Sequence, residues 1–269
     1  MSNSKLRIMI GNDDGINSMG VDILAKHANE MGEIKIICPE RQMTAQGKGL
    51  TFHKPIRVKK TTTFSGLTGL AHNSTPALSL LVYQHLHGTP DAVFSGINSG
   101  ENTSIHSILT SGTCALAMEG GIMNIPSFAF SIDVPESAFN QDHIPGDVDL
   151  AGKYSAIIAK AFLAHGSKNY WKNTLFINVN FPRKLNFTIP IVASEVETYK
   201  YDNILHERED PRGEEYYWLW GTRRKNFNTD LDSSRIFNNE AITVSAISLN
   251  SSIDLYKETG DIAARIQLV

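Results

Sequence analysis

Short apolar segments that alternate with amphipathic ones constrain the fold of this chain more than any other feature of its sequence. Five segments have the length and apolar content of buried β-strands, at residues 6–10, 34–38, 92–95, 127–131 and 175–179. Segments with helical spacing of apolar residues separate them, at 21–28, 76–86, 115–123 and 150–163. This order predicts an α/β fold in which a mostly parallel sheet carries helices on both faces.

Polar loops follow three of the predicted strands, at residues 12–15, 39–49 and 95–100. In a parallel sheet these loops all leave the same edge, at the carboxyl ends of the strands. We therefore expect one site that is built from all three loops.

The first of these loops places two adjacent carboxylates, Asp13 and Asp14, directly after a buried strand. Two ionised carboxylates repel each other, and a divalent cation allows both to stay charged at neutral pH. Mg²⁺ and Mn²⁺ favour oxygen ligands of this kind. The pair indicates a hard-metal site, although adjacent Asp residues also occur in turns and helix caps.

Two further segments carry groups that suit a metal or an anion. Asn98 is flanked by glycines and offers a neutral oxygen ligand, with an ordinary turn as the alternative interpretation. Ser111, Gly112 and Thr113 open a predicted helix, where hydroxyl and N–H groups stabilise a phosphate. Simple N-capping is the alternative there.

The loop at 39–49 adds the hydroxyl of Thr44 and the cations Arg41 and Lys48, which suit a phosphate. The nine histidines show no zinc-ligand spacing. The sequence contains no G-x-S-x-G, no P-loop and no G-x-G-x-x-G. It therefore lacks the commonest hydrolase, kinase and dinucleotide-binding motifs.

Charge and hydropathy exclude other classes of protein. The formal net charge of -3 argues against a general nucleic-acid binder, so we expect no stable nucleic-acid partner. No stretch reaches the ~18–20 apolar residues of a membrane span, and no apolar leader precedes the first strand. A cytoplasmic protein without a membrane partner is expected. Cys38 and Cys114 lie in apolar segments and are predicted to be buried free thiols.

The pattern changes after about Pro182, where strand-like pieces are separated by polar stretches. Residues 216–220 form an aromatic and apolar cluster after the charged stretch 207–213. If the cluster is exposed on a hairpin, it suits a subunit interface; a small local core is the alternative. Residues 242–249 alternate apolar and small polar side chains, which predicts a half-buried strand.

Taken together and in this order, several short motifs resemble those of the SurE family of survival-protein nucleotidases. They are Asn12-Asp13-Asp14-Gly15, Pro39-Glu40-Arg41, Leu50-Thr51, Ser95-Gly96-Ile97-Asn98, Ser111-Gly112-Thr113 with Ala117-Met118-Glu119-Gly120, and Asp210-Pro211-Arg212-Gly213 with Tyr217-Trp218. The resemblance covers most of the chain, and the set in this order is more specific than any one motif. It implies a Rossmann-like α/β core and hydrolysis of nucleoside monophosphates with a divalent metal.

The resemblance also implies how the chain is organised. We predict a catalytic core at residues 1–185 and a smaller β-rich C-terminal extension at 186–269. The extension would contain an oligomerisation hairpin and a strand that returns to the core, in a homodimer or homotetramer. Each subunit would bind one Mg²⁺ or Mn²⁺ and act on nucleoside 5′-monophosphates, with 3′-monophosphates left open.

Residue by residue, the resemblance implies that Asp13, Asp14 and Asn98 bind the metal and that the family's hydroxyl ligand falls on Thr44. The family usually has serine followed by glycine there. Thr44-Ala45 adds a methyl group and removes backbone freedom, so this ligand departs most from the pattern. Other departures surround the expected substrate pocket and bear on substrate choice and rate, at residues 74–79, 102–104 and 110.

The chemistry of the residues agrees with this interpretation. A metal at this site would polarise a phosphoryl oxygen and acidify a water, while the helix N-terminus stabilises charge on the phosphate. The candidate catalytic residues are Asp13, as acid/base or nucleophile, with Asn12 and Ser111. The candidate phosphate contacts are Asn102, Ser111, Gly112, Thr113 and Lys48. Direct attack by water is favoured, and a phospho-aspartate step stays open.

Two other functions stay open at this level. The first is a divergent phosphatase that acts on polyphosphate or another phosphomonoester, because the departures lie around the pocket. The second is a non-catalytic metal-dependent binding module, because receiver-type signalling domains also carry paired Asp residues after their first strand. The three converging polar loops and the anion-binding helix N-terminus disfavour the second.

Overall fold

A nine-stranded mixed sheet forms the centre of the computed structural model, which describes residues 5–138, 144, 146–224 and 227–248. Its strands are β1 (Leu6–Gly11), β2 (Gly32–Pro39), β3 (Val58–Thr62), β4 (Thr68–His72), β5 (Ala92–Ser99), β6 (Ser127–Ile132), β7 (Phe176–Phe181), β8 (Ile191–Ala193) and β11 (Ile242–Ile247). They are arranged in the order β3-β4-β2-β1-β5-β6-β7-β11-β8. Two further strands, β9 (Tyr201–Glu209) and β10 (Glu215–Arg223), form a separate antiparallel hairpin.

Parallel pairing runs from β4 through β2, β1, β5 and β6 to β7. Antiparallel pairs join β3 to β4 and β11 to β7. The predicted mostly parallel, Rossmann-like sheet is therefore confirmed, and the hairpin supplies the small β-rich extension. The chain leaves β1 toward β2 on one side and returns with β5 on the other. This reversal opens a crevice at the carboxyl ends of β1 and β5.

Helices cover both faces of the sheet, as predicted. They are α1 (Met19–Ala28), α2 (Leu78–His87), α3 (Ile105–Thr110), α4 (Gly112–Ile122), α5 (Val148–His165), α6 (Lys168–Asn173) and α7 (Asp232–Phe237). Alternate side chains of β1 show the two layers: Ile8 and Ile10 pack with α1 and α5, whereas Met9 packs with α2 and α4. Within the described part of the chain, no helix combines the length and apolar character that a bilayer span requires.

The five predicted apolar strands correspond to β1, β2, β5, β6 and β7, but β3, β4 and β8 were missed. The outermost strands, β3 and β8, are largely exposed and have no continuous apolar run to reveal them. Helix α4 begins at Gly112, three residues before the predicted start, because the Ser111 hydroxyl accepts a hydrogen bond from the Cys114 N–H at 3.1 Å and caps it.

The aromatic cluster lies on β10 and does not fill a local core. The side chains from Tyr216 to Trp220 are between 42% and 65% exposed, so that alternative was wrong. The interface interpretation stays a prediction. Strand β11 lies between β7 and β8 in the main sheet. The division at residue 185 also stays a prediction, and residues 249–269 lie outside the described chain. Cys38 and Cys114 are buried free thiols, as predicted.

His72, at the end of β4, is buried and neutral. Its Nδ1 accepts a hydrogen bond from the Ser74 N–H at 3.2 Å, and its Nε2 lies 2.7 Å from the Ser79 hydroxyl. Burial lowers the pKa of His72 to about 4. Protonation would place a second N–H against the Ser74 N–H, so the folded state holds the neutral ring.

We expect this histidine to make the fold sensitive to acid. The pKa of His72 is lower in the folded protein than in the unfolded chain. Its contribution to the free energy of unfolding is therefore complete above pH 6.5 and decreases as the pH falls toward 4. The loss should reach about 3 kcal/mol. Urea unfolding of the wild type and of His72→Gln from pH 7 to 4 measures this loss. It is the difference between the two proteins in how steeply the free energy of unfolding falls with pH. Parallel pH profiles would contradict the assignment.

Candidate functional site

A cleft of about 430 Å³ opens at the carboxyl ends of β1 and β5 and collects most of the predicted site residues. Its lining residues are Asp13, Asp14, Gln42, Thr44, Ala45, Asn98, Ser99, Gly100, Glu101, Asn102, Ser107, Thr110, Ser111, Lys200, Tyr201, Leu219, Trp220 and Gly221. A larger groove, of about 1300 Å³, lies beside α1 and β2 but contains none of the predicted site residues. The cleft is therefore the candidate site.

Asp13 is buried against the N-terminus of α4. Its Oδ2 accepts a hydrogen bond from the Gly112 N–H at 3.2 Å, and its Oδ1 accepts one from the Thr113 hydroxyl. Burial raises the pKa of Asp13, and the bond from Thr113 opposes that rise. The exposed N–H groups and the dipole of the helix stabilise the ionised carboxylate at this position.

Asp14 follows in the same turn and is also enclosed. Its Oδ2 accepts a hydrogen bond from the Ser99 N–H at 3.2 Å. Burial, followed by the nearby charge of Asp13, raises the pKa of Asp14 to about 7. Two carboxylates held this close favour a cation between or beside them, because its charge offsets both the burial and the repulsion.

The donor set fits a hard divalent cation. Among the residues that the structure describes, no group of three or more His, Cys, Asp or Glu side chains is placed to hold a metal. The site instead offers two carboxylates and neutral oxygens, and Mg²⁺ and Mn²⁺ typically combine one or two carboxylates with waters and substrate oxygens. Asn98 fits this set because its Nδ2 donates to the Gly100 carbonyl at 2.6 Å, which leaves Oδ1 available 3.4 Å from the Thr113 hydroxyl.

Thr44 lines the cleft, and the residue after it adopts an unusual backbone conformation. Ala45 has φ of 59°, in the left-handed region that favours glycine. This agrees with the glycine that the SurE family usually has at that position. The chain therefore keeps the loop shape at the cost of local backbone strain, of about 1–2 kcal/mol for a residue with a Cβ.

Several candidate residues make contacts inside the protein. The Asn12 side chain exchanges two hydrogen bonds of 3.1 Å with the backbone of Gly15, so it holds the turn that presents the two carboxylates. Lys48 forms an ion pair with Glu119. Asn12, Lys48, Gly112 and Thr113 are not among the residues that line the cleft. Their catalytic or phosphate-binding roles stay predictions.

The second wall of the cleft could not be recognised from the sequence. Tyr201, Leu219 and Trp220 come from the hairpin, about 100 residues beyond the loop at 95–100. A buried ion pair fastens the base of this hairpin: Lys200 Nζ donates to Glu101 Oε1 and to the Glu101 carbonyl, both at 2.8 Å. No local pattern reveals this pairing, because its two residues are distant in sequence.

Comparison with known proteins decides the family. The family described as "Survival protein SurE" matches residues 8–207. This chain belongs to the SurE family. It is similar to the "5′-nucleotidase SurE" of Pyrobaculum arsenaticum, with 31% identity over 91% of each chain. It also resembles the "5′-nucleotidase SurE" of Methanocella arvoryzae, with 34% identity over 80% of this chain and 82% of that one.

The SurE fold is matched as well. The crystal structure of the SurE protein from Aquifex aeolicus superposes with a TM-score of 0.75 and 26% identity, over 96% of this chain and 99% of that one. Family membership and the Rossmann-like fold, both predicted from the motifs and the strand pattern, are confirmed. The comparisons leave the roles of individual residues as predictions.

Gly112 lets the SurE site close around Asp13. A Cβ atom built at Gly112 would lie 2.6 Å from Asp13 Cβ and 2.8 Å from Pro76 Cγ. Contacts this short force the helix start and the carboxylate apart.

We therefore expect Gly112→Ala to destabilise the fold by about 1–3 kcal/mol, although alanine is the better helix former. It should also weaken Mn²⁺ binding. Urea unfolding and calorimetric titration with Mn²⁺ measure the two effects. Gly49→Ala is the control, because a Cβ atom added at Gly49 would approach no atom more closely than the Gln46 carbonyl oxygen, at 3.3 Å. Equal stability and Mn²⁺ affinity in wild type and Gly112→Ala would contradict the assignment.

Proposed function

We propose that this member of the SurE family is a metal-dependent phosphohydrolase that removes phosphate from nucleoside 5′-monophosphates. The observation that carries the proposal is the pair of adjacent carboxylates in the cleft, Asp13 buried at a helix N-terminus and Asp14 half-buried beside it. The relatives named 5′-nucleotidase SurE support the reaction and the substrate class. Whether 3′-monophosphates are also hydrolysed stays open.

The residues that would hold one Mg²⁺ or Mn²⁺ are Asp13, Asp14, Asn98 and Thr44. A bound divalent cation supplies Lewis-acid polarisation of a phosphoryl oxygen and acidification of a water. The two carboxylates would supply the negative charge of the site, and the amide and hydroxyl oxygens would complete it without adding charge.

The remaining chemistry falls to the side chains of the chain itself. Asp13 is the first candidate to accept a proton from the attacking water or to act as nucleophile. Ser111 and Asn102 line the cleft and would orient the phosphoryl oxygens. The first turn of α4 adds its dipole to the stabilisation of developing negative charge.

The hairpin wall favours a nucleotide over polyphosphate as substrate. Tyr201, Leu219 and Trp220 line the side of the cleft formed by the hairpin, and aromatic side chains are good stacking surfaces for a nucleobase. A volume of about 430 Å³ lies within the range of small-molecule sites. Polyphosphate has no apolar part that would use this wall.

Asp14→Asn tests the metal and the reaction together. We expect phosphate release from adenosine 5′-monophosphate to require Mn²⁺ or Mg²⁺ and to be abolished by EDTA in the wild type. The substitution should lower Mn²⁺ affinity and kcat/KM together by at least about 100-fold, because it removes one of two charged ligands. Circular dichroism should show an unchanged fold.

The control is Asp149→Asn, which changes an exposed carboxylate that is paired with Lys26 on the surface and does not line the cleft. A panel with 3′-monophosphates and short polyphosphate ranks the substrates. Unchanged metal-dependent turnover in Asp14→Asn would contradict the assignment of Asp14 as a metal ligand. Mn²⁺ binding by the wild type without phosphate release would favour the binding module.

We also propose that the hairpin contributes to a homodimer or homotetramer. Its exposed side chains form an unusually apolar surface for an isolated subunit, and interfaces are enriched in Tyr and Trp.

Trp218→Ala should therefore shift the particle toward a smaller mass in light scattering, because it removes a large apolar side chain from the centre of this surface. Phe52→Ala is the control, since Phe52 is an aromatic residue outside the hairpin that is even more exposed than Trp218. A folded Trp218→Ala protein with the wild-type mass, across a range of concentrations, would count against the interface.

A further inference from the structure

A layer of polar side chains lies inside the sheet, near the carboxyl ends of β6 and β7 and at the start of the antiparallel strand β11. The layer consists of Ser131 on β6, Asn178 and Asn180 on β7, and Thr243 on β11. None of these side chains is more than 1% exposed. Ser131 pairs directly with Asn180 across one ladder, and Thr243 pairs with Asn180 across the other, so they share one face of the sheet.

Such a layer is unusual for this architecture. Strands that are buried on both faces normally carry apolar side chains throughout, as the rest of β7 does. An amide or hydroxyl taken out of water costs free energy unless it finds a partner. The contacts of this layer therefore indicate what it is for.

Three of the four side chains meet at one residue of the cleft, Asn102. Asn180 Oδ1 accepts a hydrogen bond from the Asn102 N–H at 2.8 Å. Asn178 Nδ2 donates to the Asn102 carbonyl at 2.9 Å. Ser131 Oγ accepts from Asn102 Nδ2, also at 2.9 Å. The backbone and the side chain of Asn102 are thus all held by the sheet.

We propose that Asn180, together with Asn178 and Ser131, is a positioning residue that orients Asn102 toward the phosphoryl group of the substrate. The inference rests on the proposed function and deepens it, because it identifies what gives the phosphate pocket its geometry. Asn102 itself lies on an irregular connection between β5 and α3, where no helix or strand ladder fixes the direction of its side chain.

The fourth member of the layer supports this interpretation. Among the residues that the structure describes, the Thr243 hydroxyl, directly beside Asn180 in the sheet, finds no hydrogen-bond partner. It forms no hydrogen bond with Asn102 and is as deeply buried as the other three. The same layer therefore contains three polar groups that act on Asn102 and one that does not, which provides a matched control.

Asn180→Leu keeps the size of the side chain and removes the acceptor for the Asn102 N–H. With adenosine 5′-monophosphate and saturating Mn²⁺, we expect KM to rise about tenfold, as the loss of one buried hydrogen bond allows. The value of kcat should stay within about threefold of wild type, because binding is weakened equally in the ground and transition states. Mn²⁺ affinity should not change.

Thr243→Val is the control, since it removes a buried hydroxyl from the same layer without touching Asn102. Its KM and kcat should equal those of the wild type. If both variants lose thermal stability and kcat without a rise in KM, the layer is merely structural and the proposal is overturned. Ser131→Ala is a smaller change and should raise KM while kcat is retained. If Asn180→Leu does not fold, this variant tests the positioning role in its place.

A double-mutant cycle tests whether Asn180 acts through Asn102. Asn102→Ala alone should raise KM, and adding Asn180→Leu to it should raise KM no further. An equal effect of Asn180→Leu in both backgrounds would overturn the proposal.

Calorimetric titration with inorganic phosphate, in the presence of Mn²⁺, separates this inference from the proposed function. Phosphate should bind about tenfold more weakly to Asn180→Leu than to the wild type, whether or not turnover occurs. No phosphate release from adenosine 5′-monophosphate by the wild type overturns the nucleotidase proposal alone. Equal phosphate affinity in wild type and Asn180→Leu overturns the positioning role alone.

Discussion

Two adjacent carboxylates, Asp13 buried and Asp14 half-buried, impose the constraint on which the rest of the site depends. An ionised carboxylate removed from water is costly unless donors or a cation surround it. Asp13 accepts hydrogen bonds from the Gly112 N–H and the Thr113 hydroxyl, and Asp14 accepts one from the Ser99 N–H. The turn after β1, the end of β5 and the start of α4 must therefore meet within hydrogen-bonding distance. The charge that these donors leave uncompensated is what suits the site to a divalent cation.

Two buried polar networks hold the pieces that meet there. On one side, the layer of Ser131, Asn178 and Asn180 holds Asn102 from within the sheet. On the other side, the ion pair of Lys200 and Glu101 fastens the hairpin wall to the loop after β5. Breaking a buried pair by removing one partner is strongly destabilising, so these networks favour one arrangement of the cleft over its alternatives.

Some parts of this architecture could be predicted, and the physical reasons are specific. Strands β1, β2, β5, β6 and β7 are covered by helices on both faces, so each contains a largely apolar segment that is visible in the sequence. The edge strands β3 and β8 bury little and left no such signal. The cluster on β10 was ambiguous, because the same aromatic residues suit an exposed hairpin and a local core. Only the observed exposure of Trp218 and its neighbours excluded the core.

The sequence by itself determined the fold class, the family and the edge of the sheet at which the polar loops emerge, because apolar periodicity and short motifs are local properties of the chain. The tertiary structure alone decided which groups meet. The helix start at Gly112 and Thr113 donates hydrogen bonds to Asp13, which lies 99 residues from Gly112, and its predicted phosphate contacts stay a prediction. Hydrogen-bond partners of this kind depend on how distant segments pack, and no spacing within a single segment encodes that packing.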